Sequence, residues 1–177
     1  QIGMYPREAQ DEVWKETPTA LAGSSYAPTG VATVTDGGFR ASGRWSFCSG
    51  VEICQWMILG IRIAPAEDAE PTGIGFVLVP KETYRIEKNW DVLGLIGTGS
   101  HDLMLEDIFV PSHRMLTHEQ AESGASPGAI ANGGDLSKVP FFAAISICLC
   151  AAILGIARGA LEEYLTSMKG RTSRGAA

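Results

Sequence analysis

Between residues 31 and 111 the chain offers one short strand-like segment after another, each bounded by turn residues, with no helix between them. Val31, Thr33 and Thr35 alternate with Ala32 and Val34, Asp36-Gly37-Gly38 follows, and residues 39–45 resume the pattern. An Asp-Gly-Gly between two such runs is a hairpin signal. Further segments at 56–63, 74–79, 84–88 and 103–110 are separated by turns such as Pro65-Ala66-Glu67-Asp68 and Glu70-Pro71-Thr72-Gly73. Short strands in series without helices between them predict an antiparallel sheet closed into a barrel or sandwich.

The flanks read differently. Residues 1–30 look like the end of a helical segment, with Glu8, Glu12 and Lys15 interleaved with Ala9 and Val13, running into a loop punctuated by Pro18, Gly23, Pro28 and Gly30. Residues 115–138 are rich in Gly, Ser, Ala and Pro and read as a linker, with a short helical turn at 119–123. From Pro140 to about Lys169 the period is helical. Residues 141–157 are nearly all apolar, yet the run includes Ser146 and is shorter than the ~20 residues a bilayer span needs. It passes directly into Arg158-Gly159-Ala160-Leu161-Glu162-Glu163, which predicts a helix buried in a bundle or oligomer core and no membrane contact. The chain opens on Gln1 and stops within a helical pattern, so it reads as a piece of a longer protein.

Charge and cysteines narrow the function classes. Fourteen Lys and Arg against twenty Asp and Glu give a net charge of −6, with no basic run. Nucleic-acid affinity comes from neutralising phosphates, so that class is excluded. Cys48, Cys54, Cys148 and Cys150 match no zinc spacing and no disulfide framework, and read as reduced cytosolic thiols without a metal.

Three segments could carry chemistry. The first is Ser24-Ser25-Tyr26-Ala27-Pro28-Thr29-Gly30, a polar loop at a strand entrance where Pro28 and Gly30 hinder regular pairing and leave hydroxyls and backbone N–H groups available. The second is Gly43-Arg44-Trp45-Ser46-Phe47-Cys48-Ser49-Gly50. Strand alternation would place Trp45, Phe47 and Ser49 on one face and Ser46, Cys48 and Gly50 on the other. Two aromatics and a hydroxyl in a row suit the wall of a flat, polar-edged ligand, and equally suit barrel core ending in a turn. The third is Trp90-Asp91-Val92-Leu93-Gly94-Leu95-Ile96-Gly97-Thr98-Gly99-Ser100-His101-Asp102, in which His101 reads as an ordinary surface or interface histidine. His113 and His118 belong to no constellation. The basic cluster Lys169-Gly170-Arg171-Thr172-Ser173-Arg174 either complements a helix C-terminus or offers an anion site.

Taken together, these blocks and Asp107-Ile108-Phe109-Val110-Pro111 resemble the acyl-CoA dehydrogenase superfamily over essentially the whole chain, and most of all its two-component flavin-dependent monooxygenases. Dehydrogenases of the superfamily carry Thr-Glu-Pro-x-Ala-Gly-Ser-Asp and Trp-Ile-Thr-Asn-Gly where this chain has residues 25–30 and 45–50, and both departures favour the hydroxylases. The resemblance implies an α+β fold: an antiparallel β-barrel middle domain followed by the start of a C-terminal helical bundle, without the N-terminal helical domain. The implied divisions are 1–30 (end of the helical domain and flavin-edge loop), 31–114 (barrel), 115–138 (linker) and 139–177 (first bundle helix). It implies that Ser24, Ser25, Tyr26, Trp45, Phe47, Cys48 and Ser49 line reduced FMN or FAD, with Ser49 or Cys48 near the flavin N5, and that Arg171 reaches flavin phosphates. The implied reaction is hydroxylation of a phenol or other small aromatic with O2, Ser49 being the catalytic hydroxyl. The implied partners are a separate flavin reductase and further copies of the chain in a cytoplasmic homotetramer. An acyl-CoA dehydrogenase oxidising a thioester with FAD is the alternative.

Overall fold

In the computed structural model, which describes residues 1–135, 138–169 and 171, the chain forms two compact units, Gln1–Lys138 and Val139–Ala177. The first holds α1 (Arg7–Trp14), β1 (Ala22–Thr35), β2 (Gly38–Trp45), β3 (Trp56–Ala64), β4 (Gly73–Pro80), β5 (Arg85–Glu87), β6 (Asp102–Pro111), β7 (Met115–Thr117), α2 (His118–Glu122) and α3 (Pro127–Asn132). The second holds α4 (Phe141–Met168).

The seven strands form one sheet in the order β5-β6-β2-β1-β3-β4-β7. The strand-like segments therefore become strands, and Asp36-Gly37 turns β1 into β2 with Thr35 opposite Gly38. The expected barrel is corrected to an open sheet, because β5 and β7 stand at opposite edges. Nor is the sheet wholly antiparallel. The chain leaves β2 through residues 46–55, crosses over, and lays β3 parallel to β1.

β1 also begins earlier than its punctuation suggests. Residues 22–30 are strand rather than free loop, but their register against β3 breaks between Ser25, opposite Leu59, and Gly30, opposite Ile61. Pro28 has no N–H to donate, so the chain arches away over four residues. Gly60 makes the arch possible: a Cβ there would lie 2.1 Å from the Tyr26 carbonyl oxygen.

One face of the sheet holds the main core. Trp45, Cys48, Val51, Met57, Leu59, Ile61, Val77, Val79, Leu103, Leu105 and Val110 are buried in one cluster. Trp45 is fully enclosed and donates its Nε1–H to the Gly60 carbonyl at 2.6 Å. On the other face, Tyr5 donates its hydroxyl to the Phe76 carbonyl at 3.0 Å, and Gln10 Nε2 donates to the Tyr5 carbonyl at 2.7 Å. Residues 115–138 are not a bare linker. β7 pairs with β4, Thr117 and Gln120 form a reciprocal cap on α2, and the Ser126 hydroxyl caps α3.

α4 runs 28 residues and is long and apolar enough, by length and composition, to cross a membrane. Leu149, Ile153, Leu154, Ile156 and Leu161 are exposed along it, as are Cys148 and Cys150. Its later turns carry the exposed pair Arg158 Nε–Glu162 Oε1 at 2.8 Å.

Candidate functional site

The two blocks singled out in the sequence meet. β2 ends at Trp45, and residues 46–55 form a loop that runs alongside a second loop at 88–101. Two backbone bonds clip them together: Cys48 N–H to the His101 carbonyl at 3.1 Å and Gly50 N–H to the Thr98 carbonyl at 2.8 Å. Ser49 lies between those clips, opposite Ser100.

Side chains reinforce the junction. Phe47 meets Trp90 edge-to-face with ring centroids 5.9 Å apart. His101 Nδ1 accepts from the backbone N–H groups of Asn89 and Trp90 at 3.1 and 3.0 Å. Nδ1 is therefore the acceptor, and Nε2 faces Glu52 at 3.8 Å. His101 is thus a staple that orders the 88–101 loop. Glu52 also pairs with Lys88 at 2.8 Å, and Lys88 holds its carboxyl below the usual range. Beneath the lip, Arg44 Nε bonds Asp102 Oδ2 at 2.7 Å. Burial alone would raise the Asp102 carboxyl, but hydrogen bonds with Arg44, Asn89 and Ser46 outweigh it and bring it below its ordinary value.

Against this frame of residues, the expected flavin wall separates. Phe47 and Ser49 are exposed at the lip, Phe47 at 69%. Trp45 and Cys48, expected on the flavin wall, lie fully buried in the core cluster. Strand alternation fails here because Phe47 adopts φ 58°, a left-handed turn that ends the period of two and sends its ring outward. Cys48 donates its thiol to the Trp45 carbonyl at 3.4 Å, and burial, helped by nearby Asp102, pushes the thiol up to about 12.

The β1 residues divide as well. Ser25 is buried and donates its hydroxyl to the Ser46 carbonyl at 2.9 Å, bracing the first loop. Ser24 and Tyr26 are half-buried. Tyr26 packs edge-to-face on Phe76, centroids 5.8 Å apart, on the sheet face away from the Trp45 core. Gly23 lets β1 pass beside the lip, where a Cβ would meet Met57 Sδ at 2.7 Å and the Ser49 carbonyl at 3.0 Å. Arg171 follows α4 in the second unit, exposed, with Nη1 3.7 Å from Met168 Sδ.

Two hydroxyls of the third segment, given no individual role from the sequence, stand behind Ser49. Ser100 Oγ lies 2.8 Å from Ser49 Oγ and 2.7 Å from Thr98 Oγ1. Their signal was the Gly97-Thr98-Gly99-Ser100 run, where two small hydroxyl residues alternate with glycines in a tight turn. No group of three or more His, Cys, Asp or Glu able to hold a metal occurs among the described residues.

The arrangement offers an exposed aromatic edge, an exposed hydroxyl backed by further hydroxyls, and an apolar loop carrying Leu93, Leu95 and Ile96 at the surface. Such a lip can cover a flat ring and bond a polar atom on its edge.

Comparison with known proteins agrees with that chemistry. No family model matches the chain. It is 44% identical over 177 residues to the oxygenase component of an FADH(2)-dependent resorcinol hydroxylase from Rhizobium sp. (strain MTP-10005), which covers 99% of this chain and 43% of that protein. Among solved structures, the 3-HSA hydroxylase of Rhodococcus sp. RHA1 superposes with a TM-score of 0.87 at 32% identity, covering 98% of this chain and 45% of that one. XiaF from Streptomyces sp., in complex with FADH2 and glycerol, superposes with a TM-score of 0.81 at 30% identity, covering 99% and 44%. The chain therefore spans less than half the length of these relatives.

Proposed function

We propose, starting from the chain's homology over nearly its whole length to oxygenase components of two-component flavin-dependent monooxygenases, that it carries the flavin-facing part of such an enzyme. The observation that carries the reading is the pairing of exposed Phe47 and Ser49 on one lip, in a chain whose relatives include an FADH(2)-dependent hydroxylase and a protein bound to FADH2. We read the sheet as the middle domain of an acyl-CoA dehydrogenase-like arrangement and α4 as the first helix of its C-terminal bundle.

The residues present fit a flavin. Phe47 offers an edge against which an isoalloxazine can pack, Ser49 a hydroxyl for its N5, and Ser25 braces the loop behind them through the Ser46 carbonyl. Reduced FMN or FAD, when bound, supplies the two electrons by which one atom of O2 enters a phenol or related aromatic and the other leaves as water. This chain's own contribution is to hold the ring, to hydrogen-bond its N5 through Ser49, and to keep water off with Phe47, Leu95 and Ile96. Arg171 is kept for the phosphates of a flavin held by a neighbouring subunit. A separate flavin reductase, and assembly as a cytoplasmic homotetramer, complete the reading.

The test is anaerobic titration of the full-length protein with reduced FMN and FAD, followed by oxygen and a phenol panel. Saturable binding of reduced flavin and an oxygenated phenol are expected. Ser49→Ala should raise hydrogen peroxide relative to hydroxylated product by about twofold to tenfold, since a hydrogen bond nets about 0.5–1.5 kcal/mol. Absence of binding, or coupling identical to wild type, would overturn the assignment.

A further inference from the structure

With Thr98 donating to the Leu95 carbonyl, the hydrogen bonds behind Ser49 run one way. The Leu95 carbonyl can only accept, and Thr98 Oγ1 donates to it at 2.9 Å. A threonine hydroxyl has a single proton. The 2.7 Å contact between Thr98 Oγ1 and Ser100 Oγ must therefore be donated by Ser100. That spends the Ser100 proton, so the 2.8 Å contact between Ser100 Oγ and Ser49 Oγ must be donated by Ser49. Ser100 is buried, at 5% exposure, and water competes poorly for its hydroxyl. The Ser49 oxygen, exposed at the lip, is left with lone pairs only.

The turn that sets this chain is held in place from several sides. Leu95 adopts φ 60°, and its carbonyl also receives Trp90 Nε1–H and Thr98 N–H, both at 3.1 Å. The Gly50 N–H to Thr98 carbonyl bond keeps Ser49 in register with Ser100.

We propose that Thr98 and Ser100 are positioning residues that fix Ser49 as a hydrogen-bond acceptor, so that the lip takes a ring N–H in preference to a bare ring nitrogen. The inference rests on the flavin reading above and deepens it. Reduced isoalloxazine carries hydrogen on N5 and can donate to Ser49, whereas oxidised isoalloxazine has only a lone pair there. The relay therefore discriminates the arriving reduced cofactor from the spent one, using a hydroxyl that would otherwise rotate to serve either.

The experiment measures affinity for reduced and for oxidised FMN and FAD, the former under argon, in the full-length protein and its variants. Wild type should favour the reduced form. Ser100→Ala and Thr98→Val should each narrow the reduced-to-oxidised ratio by about threefold to tenfold, the worth of one hydrogen bond. Thr98→Ser and Ser100→Thr, which keep the hydroxyls, should retain it. In a Ser49→Ala background, Ser100→Ala should change the ratio no further. A residue that merely supports the loop would lower both affinities together and leave the ratio alone. An unchanged ratio in both Ser100→Ala and Thr98→Val, with reduced flavin still bound, overturns the relay and spares the flavin assignment. Failure of wild type to bind flavin in either state overturns both.

Discussion

Replacing Trp45 by Phe asks whether the indole is a cofactor wall or a core element. Trp45 is fully buried, and its Nε1–H reaches the Gly60 carbonyl at 2.6 Å across the sheet. Phenylalanine keeps most of the apolar contact but removes the donor. A buried acceptor left without its partner costs about 1–3 kcal/mol. The lost part of the indole adds a share of the 3–5 kcal/mol seen for whole-ring deletions, roughly 1 kcal/mol. The sum is about 2–4 kcal/mol. At roughly 2–4 °C per kcal/mol for chains of 150–250 residues, and less for longer ones, the melting temperature of the full-length protein should fall by about 5 °C. Calorimetry measures that fall, and anaerobic titration of the same sample measures reduced-flavin affinity, which should stay within about twofold of wild type. An affinity loss of tenfold or more with an unshifted melting temperature would refute the core assignment and return Trp45 to the ligand wall.

Other expectations follow from the same geometry. Asp102 has its carboxyl depressed in the folded state, so its contribution to stability is present above the ordinary carboxylate value and is lost as pH falls through the depressed one. Asp102→Asn should thus destabilise most near about pH 7 and least near about pH 3, checked by urea unfolding at both; equal losses would contradict it. Cys48, buried and pushed up to about 12, should resist iodoacetamide at about pH 8 until the protein unfolds, read by mass spectrometry of the labelled peptide. The isolated 177-residue chain should elute as oligomer or aggregate in size-exclusion chromatography because α4 exposes Leu149, Ile153, Ile156 and Leu161, and a monodisperse monomer would contradict this.

β1 was legible from the alternation at 31–35, and β3 and β4 from short apolar runs bounded by turns, since most of their residues are buried whichever face they point to. Their pairing was not. The apolar run at 56–63 says that the segment is buried, but not that it lies parallel to β1, which depends on the crossover through residues 46–55. The start of β1 was hidden for a related reason. Pro28 and Gly30 mark a real break in pairing, yet the break lies inside a strand, since Ala22 to Ser25 already pair with Trp56 to Leu59. Local turn chemistry records where hydrogen bonds fail and is silent on whether the partner strand continues beyond the gap.

The site shows the same limit at finer scale, and the limit points to the function. Trp45, Phe47 and Ser49 would share a face only if the strand ran on, and it stops where Phe47 turns left-handed. A left-handed backbone at a bulky residue costs on the order of 1–3 kcal/mol and persists only where the surroundings over-determine it. Here the surroundings are identifiable: the Cys48 to His101 and Gly50 to Thr98 backbone bonds on either side of Ser49, and Trp90 against the Phe47 ring. Leu95, the second strained residue of this junction, supplies the carbonyl on which the hydroxyl chain ends. On the proposed flavin reading, the two left-handed residues serve the two tasks a flat-ring site requires. One turns an aromatic edge out of the core, and the other anchors the donors that hold Ser49 as an acceptor. Neither task could be read from alternation, because each depends on the backbone departing from it.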